Sequence, residues 1–344
     1  CALPIYELDS GNDFVDEQYG SITGRVMADT NNDATGDAPL GGVVLTLTTS
    51  GGAAVGTATT DANGRYAFGN LALGSYVVVE TQPAGYDSVT DTDGGTDNRV
   101  AVAVRAGLVA QADFVEAARG GISGFVLKDT DNNDTGDAPL AGVTVKLFSD
   151  PNGDGNPADG VEVASTVTDA TGAYSFTGVS VGSYVIVEVD PAGYQSVGDG
   201  DTTADVAGSP ADAVNGSGTD NRIPVTLAAG ETDTGNTFVD EQYGSITGRV
   251  MADTNNDATG DAPLGGVVLT LTTSGGTTVA TATTDANGRY AFSNLAPGSY
   301  VVVETQPAGY DSVTDTDGGT DNRVAVAVRA GLVAQADFVE TARG

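Results

Sequence analysis

The sequence predicts an all-β protein: a tandem array of seven-stranded β-sandwiches strung into an elongated rod. Three observations predict it. A long internal repeat divides the chain, short segments rich in Val, Thr, Tyr and Ile alternate with Gly/Asp/Asn turns, and no segment sustains a helical period.

The repeat comes first. Asn12–Gly120 recurs almost unchanged as Asn236–Gly344, with substitutions such as Leu73 against Pro297. A diverged copy lies between them: Ile122–Asp129 matches Ile22–Asp29, and Gly182–Glu188 matches Gly74–Glu80. The order is A–B–A, with expected boundaries 20–117, 118–243 and 244–344. Residues 1–19 are expected to hold the last strand of a preceding copy, because Asp9–Tyr19 matches Asp233–Tyr243 at the end of the B copy. The given sequence then reads as a window on a longer array, and Cys1 as either a lipidated first residue or a fragment end.

In the first copy the strands are expected at Ser21–Ala28, Gly42–Thr49, Val55–Thr60, Arg65–Asn70, Ser75–Gln82, Arg99–Arg105 and Val109–Glu116. Asp61-Ala-Asn-Gly64 between two of them is a hairpin turn. Seven short strands in about 100 residues suggest two packed sheets. An odd number of reversing strands puts the chain ends at opposite poles, so copies joined by short linkers stack head to tail. At about 3.3 Å per residue, three such units span on the order of 100 Å.

Composition narrows function. Lys and Arg number 13 against 47 Asp and Glu, a net charge of −34. Nucleic acid and anionic membranes would be repelled by such a surface. No apolar run is long enough to insert into a membrane as a helix. His is absent and Cys occurs once, which removes the common nucleophilic triads, ordinary zinc sites and any disulfide within the chain. The reading is a non-enzyme.

The acidity is mostly Asp and is concentrated in loops, where short carboxylates suit oxygen-ligand cation sites. Asp29-Thr-Asn-Asn-Asp-Ala-Thr-Gly-Asp37 sets oxygens at alternate positions: Asp29, Asn31, Asp33, Thr35 and Asp37. That alternation is how an EF-hand-like loop wraps calcium, although Ala34 replaces the sixth-position Gly and the twelfth-position Glu is missing. A ligand from elsewhere is therefore needed, and the loop after the fifth strand is expected to bring Asp87, Asp91, Asp93 and Asp97 to the same pole. The B copy carries Asp129, Asp131, Asn133, Thr135 and Asp137, then Asp199, Asp201, Asp205, Asp212 and Asp220. The third copy carries Asp253, Asn255, Asp257, Thr259 and Asp261, then Asp311, Asp315, Asp317 and Asp321. An insertion unique to the B copy offers Asp150, Asn152, Asp154, Asn156 and Asp159, with Gly155 at the sixth position and Glu162 one residue late for the twelfth. Calcium is the expected cofactor throughout.

The combined frame Gly-Ser-Ile-x-Gly-x-Val, Asp-x-Asn-x-Asp, Asp-Ala-Asn-Gly-x-Tyr-x-Phe and Gly-Ser-Tyr-Val-Val-Val-Glu-Thr-Gln-Pro-Ala-Gly-Tyr resembles the B-repeat domains of serine–aspartate-repeat surface adhesins. Those are relatives of the collagen-adhesin B-type domains. The resemblance implies an Ig-like or transthyretin-like sandwich, calcium in the loops, and a cell-surface stalk whose partners are its neighbouring domains and possibly other copies of itself in a filament. It leaves an external ligand unidentified. The alternative reading is an adhesion or carbohydrate/protein-binding module. Some relatives carry a Lys–Asn isopeptide bond promoted by a buried acid, here matched by Glu80, Glu188 and Glu304. The lysine position is aligned with Met27, Leu127 and Met251. Lys128 is assigned to the opposite face of its strand, so no such bond is expected. The segment Asn12–Tyr19 could also pair with another copy's sheet edge and polymerise the chain.

Overall fold

The computed structural model describes residues 16–201 and 219–344. Half of the expected orphan strand, residues 12–15 of 12–19, lies outside the described residues, and residues 16–19 form no strand.

In the first repeat the elements are β1 (Gly20–Asp29), β2 (Ala38–Pro39), β3 (Val44–Thr49), β4 (Ala54–Thr59), β5 (Arg65–Leu71), β6 (Gly74–Glu80), β7 (Tyr86–Asp91), β8 (Arg99–Val104), β9 (Val109–Gln111) and β10 (Phe114–Ala118). One sheet runs β4-β3-β6-β8. The other runs β2-β1-β10-β7, with β5 and β9 also paired to β1. The middle repeat repeats this plan with β11 (Gly120–Asp129), β12 (Ala138–Pro139), β13 (Thr144–Ser149), β14 (Glu162–Val167), β15 (Ala173–Val179), β16 (Gly182–Val189), β17 (Tyr194–Gly200), β18 (Arg222–Leu227) and β19 (Thr232–Gln242). In the third repeat, β20 (Gly244–Asp253) to β29 (Phe338–Ala342) copy the first, with β26 at Tyr310–Asp315 in the place of β7. One short 3-10 turn, Pro157–Asp159, is the only helical element among the described residues.

Alternation explains the packing. Along β1, Ile22, Gly24, Val26 and Ala28 point inward. They meet Leu45, Leu47 and Val78 from the facing sheet and Phe114 from β10. The third repeat has the corresponding core in Ile246, Val250, Leu269, Leu271, Val302 and Phe338. A buried tyrosine pins the last strand in each repeat. Its hydroxyl donates to a main-chain carbonyl: Tyr66 to Ala112, Tyr174 to Asn236 at 3.0 Å and Tyr290 to Ala336 at 2.5 Å. Gly24 makes this approach possible, because a Cβ there would lie 1.8 Å from the Ala112 carbonyl oxygen.

The first and last strands of each repeat are parallel neighbours: β1 with β10, β11 with β19, β20 with β29. Each repeat is therefore entered at one pole and left at the other. The end of β1 lies beside the end of β10, with Asp29 aligned to Ala117.

Two expectations need correction. Tyr86–Asp91, read as part of a loop, is an edge strand antiparallel to β10. Its run of polar residues hides it, since an edge strand with a solvated face needs no apolar alternation. The last strand, read as continuous from Val109, breaks in the first repeat where the Asp113 carboxylate turns back to accept the Arg25 N–H at 2.7 Å. In the middle repeat, β19 instead runs unbroken through Gln242.

Gly24→Ala is expected to destabilise the first repeat by about 1–3 kcal/mol through overpacking against main chain. Gly56→Ala, where an added Cβ meets nothing within 4 Å, should stay within about 0.5 kcal/mol. Denaturant midpoints of the two variants provide the check.

Candidate metal centres

β1 ends on Asp29, only 2 % exposed, and the following loop winds around its carboxylate. Oδ1 accepts from the N–H groups of Asn31 at 3.1 Å and Asn32 at 2.8 Å, and Oδ2 accepts from Ala34 at 2.9 Å. Asp37 closes the loop by accepting from the Thr30 N–H at 2.9 Å and its hydroxyl at 3.0 Å. Ala34, at the position where an EF-hand carries Gly, adopts φ +63°. That conformation costs a non-glycine residue roughly 1–2 kcal/mol and is held here by the bond to Asp29. Asp33 and Thr35 are turned to each other, because Asp33 Oδ1 accepts both the N–H and the hydroxyl of Thr35.

The other repeats keep this geometry. Asp129 accepts from Asp131, Asn132 and Asp134, Asp137 accepts from Thr130, and Asn133 pairs with Thr135. Asp253 accepts from Asn255, Asn256 and Ala258, Asp261 from Thr254, and Asp257 pairs with Thr259. In the middle repeat, oxygens of Asp129, Asp131 and Asp137 all lie within 4.8 Å of one another. A divalent ion with ligand distances of about 2.3–2.6 Å spans that spacing. Desolvation and the neighbouring charges of Asp137 and Asp129 raise the Asp131 pKa.

The insertion forms a second such loop. Asp150 accepts from Gly153 at 2.9 Å, Asp154 at 3.3 Å and Gly155 at 2.8 Å, with both glycines in the left-handed region. Asn152 accepts from Asp154, Asp154 from Asn156, and Asn156 caps the 3-10 turn through the Ala158 N–H. Asp150, Asp154 and Asp159 again bring oxygens within 4.8 Å of one another. Asp159 stands where a closing carboxylate is needed. Glu162, the residue considered for that place from the sequence, instead pairs with Lys146 at 2.8 Å.

The second acidic stretch does not gather at the first loop as expected. Asp87 lies near that loop and lines one cavity with Asp29 and Asn32, but it is ion-paired with Arg119 at 2.6 Å. Asp311 is likewise paired with Arg343 at 2.8 Å. Asp91 lies farther down β7, opposite Phe114, which in turn is aligned with Val26. Three residues of strand, roughly 10 Å, separate that level from Asp29. There Asp91 and Asp93 share the Gly95 N–H, Asp93 accepts from Ala101, and Asp97 accepts from Arg99. Asp315, Asp317 and Asp321 repeat the arrangement. These aspartates staple β7 to β8 because strand pairing carries them away from the loop. In the middle repeat, Asp199 accepts from the Asp220 and Asn221 N–H groups at 3.0 and 2.9 Å, and burial raises its pKa to about 6. Asp201 is buried beside this strand end, while Asp205 and Asp212 lie outside the described residues.

Sequence reasoning missed a buried carboxyl pair in each repeat. Glu80 meets Glu116, Glu188 meets Asp240, and Glu304 meets Glu340. Gln82 and Gln306 donate to Glu116 and Glu340. Neither oxygen of Glu80, Glu188 or Glu304 accepts a hydrogen bond from a fixed donor, and the group each one faces is a second acid. The inward parity of Glu116 with Phe114 is the signal that could have revealed it. Desolvation, reinforced by the partner's charge, raises Glu80 and Glu304 to about 9 and Glu188 to about 10. The facing assigned to Lys128 also needs correction. Ile122, Gly124 and Val126 are buried on one face, and Lys128 continues that face, in register with Asp240. The corresponding residues are Ala28 and Ala252; Met27 is the outward neighbour.

A raised carboxyl pKa stabilises the fold fully below the unfolded value near 4.5, and the contribution disappears as pH rises through the folded value. Aspartates held low, such as Asp61 and Asp169, act only below their ordinary 3.8. In chelator, the melting temperature should therefore fall between about pH 5 and pH 9. Glu80→Gln combined with Glu304→Gln should flatten that slope, as read by thermal melts across pH.

Comparison with known proteins agrees with this architecture. A family model described as the SdrD B-like domain matches residues 20–115, 120–238 and 244–339. Over 318 residues the chain is 30% identical to serine-aspartate repeat-containing protein F of Staphylococcus epidermidis, covering 87% of this chain and 17% of that protein. It is 29% identical over 311 residues to serine-aspartate repeat-containing protein D of Staphylococcus aureus strain Newman, covering 85% and 22%. The chain thus spans about a fifth of the length of these relatives. Among solved structures, BcpA, the major pilin subunit of Bacillus cereus, is similar at a TM-score of 0.41 and 16% identity, covering 95% of this chain and 100% of that one, a likeness too loose to carry an argument. With matched stretches covering most of its length, the chain belongs to the SdrD B-like domain family.

Proposed function

We propose that the chain is part of an extracellular, cell-surface stalk, divided into units 20–117, 118–243 and 244–344, whose acidic loops bind calcium and stiffen it. The observation that carries the reading is the convergence of Asp129, Asp131 and Asp137, and separately of Asp150, Asp154 and Asp159, on loops already wound by their own N–H groups. The first loops of the flanking repeats, around Asp29 with Asp37 and Asp253 with Asp261, have the same backbone with fewer carboxylates. Asp91, Asp199 and Asp315 are secondary candidates, each buried at the end of an edge strand.

The mechanical role follows from strand order. With first and last strands parallel, each repeat passes load from one pole to the other through its sheet. An ion held by the loop at the exit pole would cross-link that loop where the strand leaves. Membership of the SdrD B-like domain family, whose repeats the sequence frame resembles as surface-adhesin domains, supports a surface structural role; display of a binding face has no comparable support in the geometry.

Calcium at a hundred times its dissociation constant should add about 2.7 kcal/mol per specific site. Chelator is therefore expected to lower the melting temperature and to expose residues 29–37, 129–137 and 150–162 to protease. Small-angle scattering should show greater flexibility in chelator than in calcium. Identical melting and digestion in the two conditions would remove the calcium mechanism.

A further inference from the structure

The acid nearest the first loop is placed differently in the middle repeat. In the first repeat Asp87 on β7 is aligned with Ala117 on β10, and in the third Asp311 is aligned with Thr341. Both aspartates are neutralised by an arginine, Arg119 or Arg343. In the middle repeat the same register aligns Gln195 with Glu241, so the carboxylate has moved to the other strand of the pair. The arginine has gone with the change, since Tyr243 occupies the place of Arg119 and Arg343.

Glu241 is only 3 % exposed. Its Oε1 accepts no hydrogen bond, and Oε2 accepts only a long one from Gln195 at 3.4 Å. Lys128, the nearest base along the neighbouring strand, continues the inward face of β11, whereas Glu241 follows the outward one, opposite to Asp240. The parallel pairing places Glu241 beside Asp129, the carboxylate around which the first loop is wound. That loop folds over the same outer face. A Cβ on Gly136 would lie 2.5 Å from that of Leu127, and one on Gly198 would lie 3.7 Å from both the Asp134 carbonyl oxygen and Val239. A buried carboxylate whose one contact is the long hydrogen bond from Gln195 thus lies beside Asp129, next to the cluster of Asp129, Asp131 and Asp137 but outside the 4.8 Å spacing those three share. Adding a fourth negative group to such a cluster is unfavourable unless a cation is shared among them.

We propose that Glu241 is a ligand of the divalent cation in the first loop of the middle repeat, supplying the carboxylate that the loop itself lacks at its end. This rests on the calcium reading of that loop. The middle repeat then binds a calcium-sized ion more tightly than its neighbours, because affinity in oxygen-ligand sites rises with the number of charged ligands. The flanking repeats have no counterpart, with Ala117 and Thr341 in that place and their nearby aspartates engaged by arginine. As calcium rises, the loops fill in sequence, middle repeat first.

The test uses the full chain with Asp150→Asn and Asp154→Asn, which silence the insertion loop, and calcium titrated calorimetrically. Adding Glu241→Gln should weaken the tightest remaining site by about tenfold or more. The same change should raise the melting temperature in chelator and lower it in calcium, a reversal that a purely structural glutamate would not produce. Glu241→Asp, which keeps the charge but shortens the reach, should likewise lose affinity and guards against misfolding of the glutamine variant. If Glu241→Gln and Glu241→Asp leave calcium affinity unchanged while Asp129→Asn abolishes the tight site, this proposal is wrong and the calcium reading stands. If Asp129→Asn also leaves binding unchanged, both are wrong.

Discussion

Like charge is the quantity that the structure must dispose of. The chain carries a net charge of −34 with only 13 basic residues, yet several of its carboxylates are almost fully buried. A buried carboxylate without compensation is expensive, and three kinds of compensation are visible. Backbone N–H groups wrap Asp29, Asp129, Asp150 and Asp253. Arginine neutralises Asp87 and Asp311 at more exposed positions. Proton retention is favoured in the pairs built on Glu80, Glu188 and Glu304, where burial opposes ionisation. Glu241 receives none of these in full.

The parallel neighbours at the start and end of each repeat turn this electrostatic problem into a local code. Because β1 finishes alongside the end of the last strand, one position on that strand lies beside the first loop: Ala117, Glu241 or Thr341. The residue there and its partner across the sheet set the charge near the loop without changing the fold. A shift of one carboxylate from β7 to β19, with loss of an arginine, is a small edit to the sequence. Its electrostatic consequence falls on Glu241 and Asp129, the two carboxylates there that are almost fully buried.

The same register explains why the repeats differ inside. Ala28 and Glu116 are aligned in the first repeat, and Lys128 and Asp240 occupy the equivalent places in the middle one. A short residue beside a long acid becomes a long base beside a short acid. The exchange adds side-chain bulk, accommodated because Lys128 is only partly buried.

Much was determined by the sequence alone. The repeat, the strand class and the EF-hand-like alternation around Asp29 and Asp150 depend on local spacing, and local spacing is written directly in the chain. The edge strand Tyr86–Asp91 escaped notice because a solvated edge carries no apolar rhythm. The separation of Asp91 from Asp29, the inward facing of Lys128, the carboxyl pairs and the position of Glu241 were decided only by tertiary structure. Each depends on which strands become neighbours and at what register, and a one-residue change of register reverses every facing. Residues far apart in sequence, such as Asp129 and Glu241, meet only when the sheet closes, so their shared environment belongs to the fold.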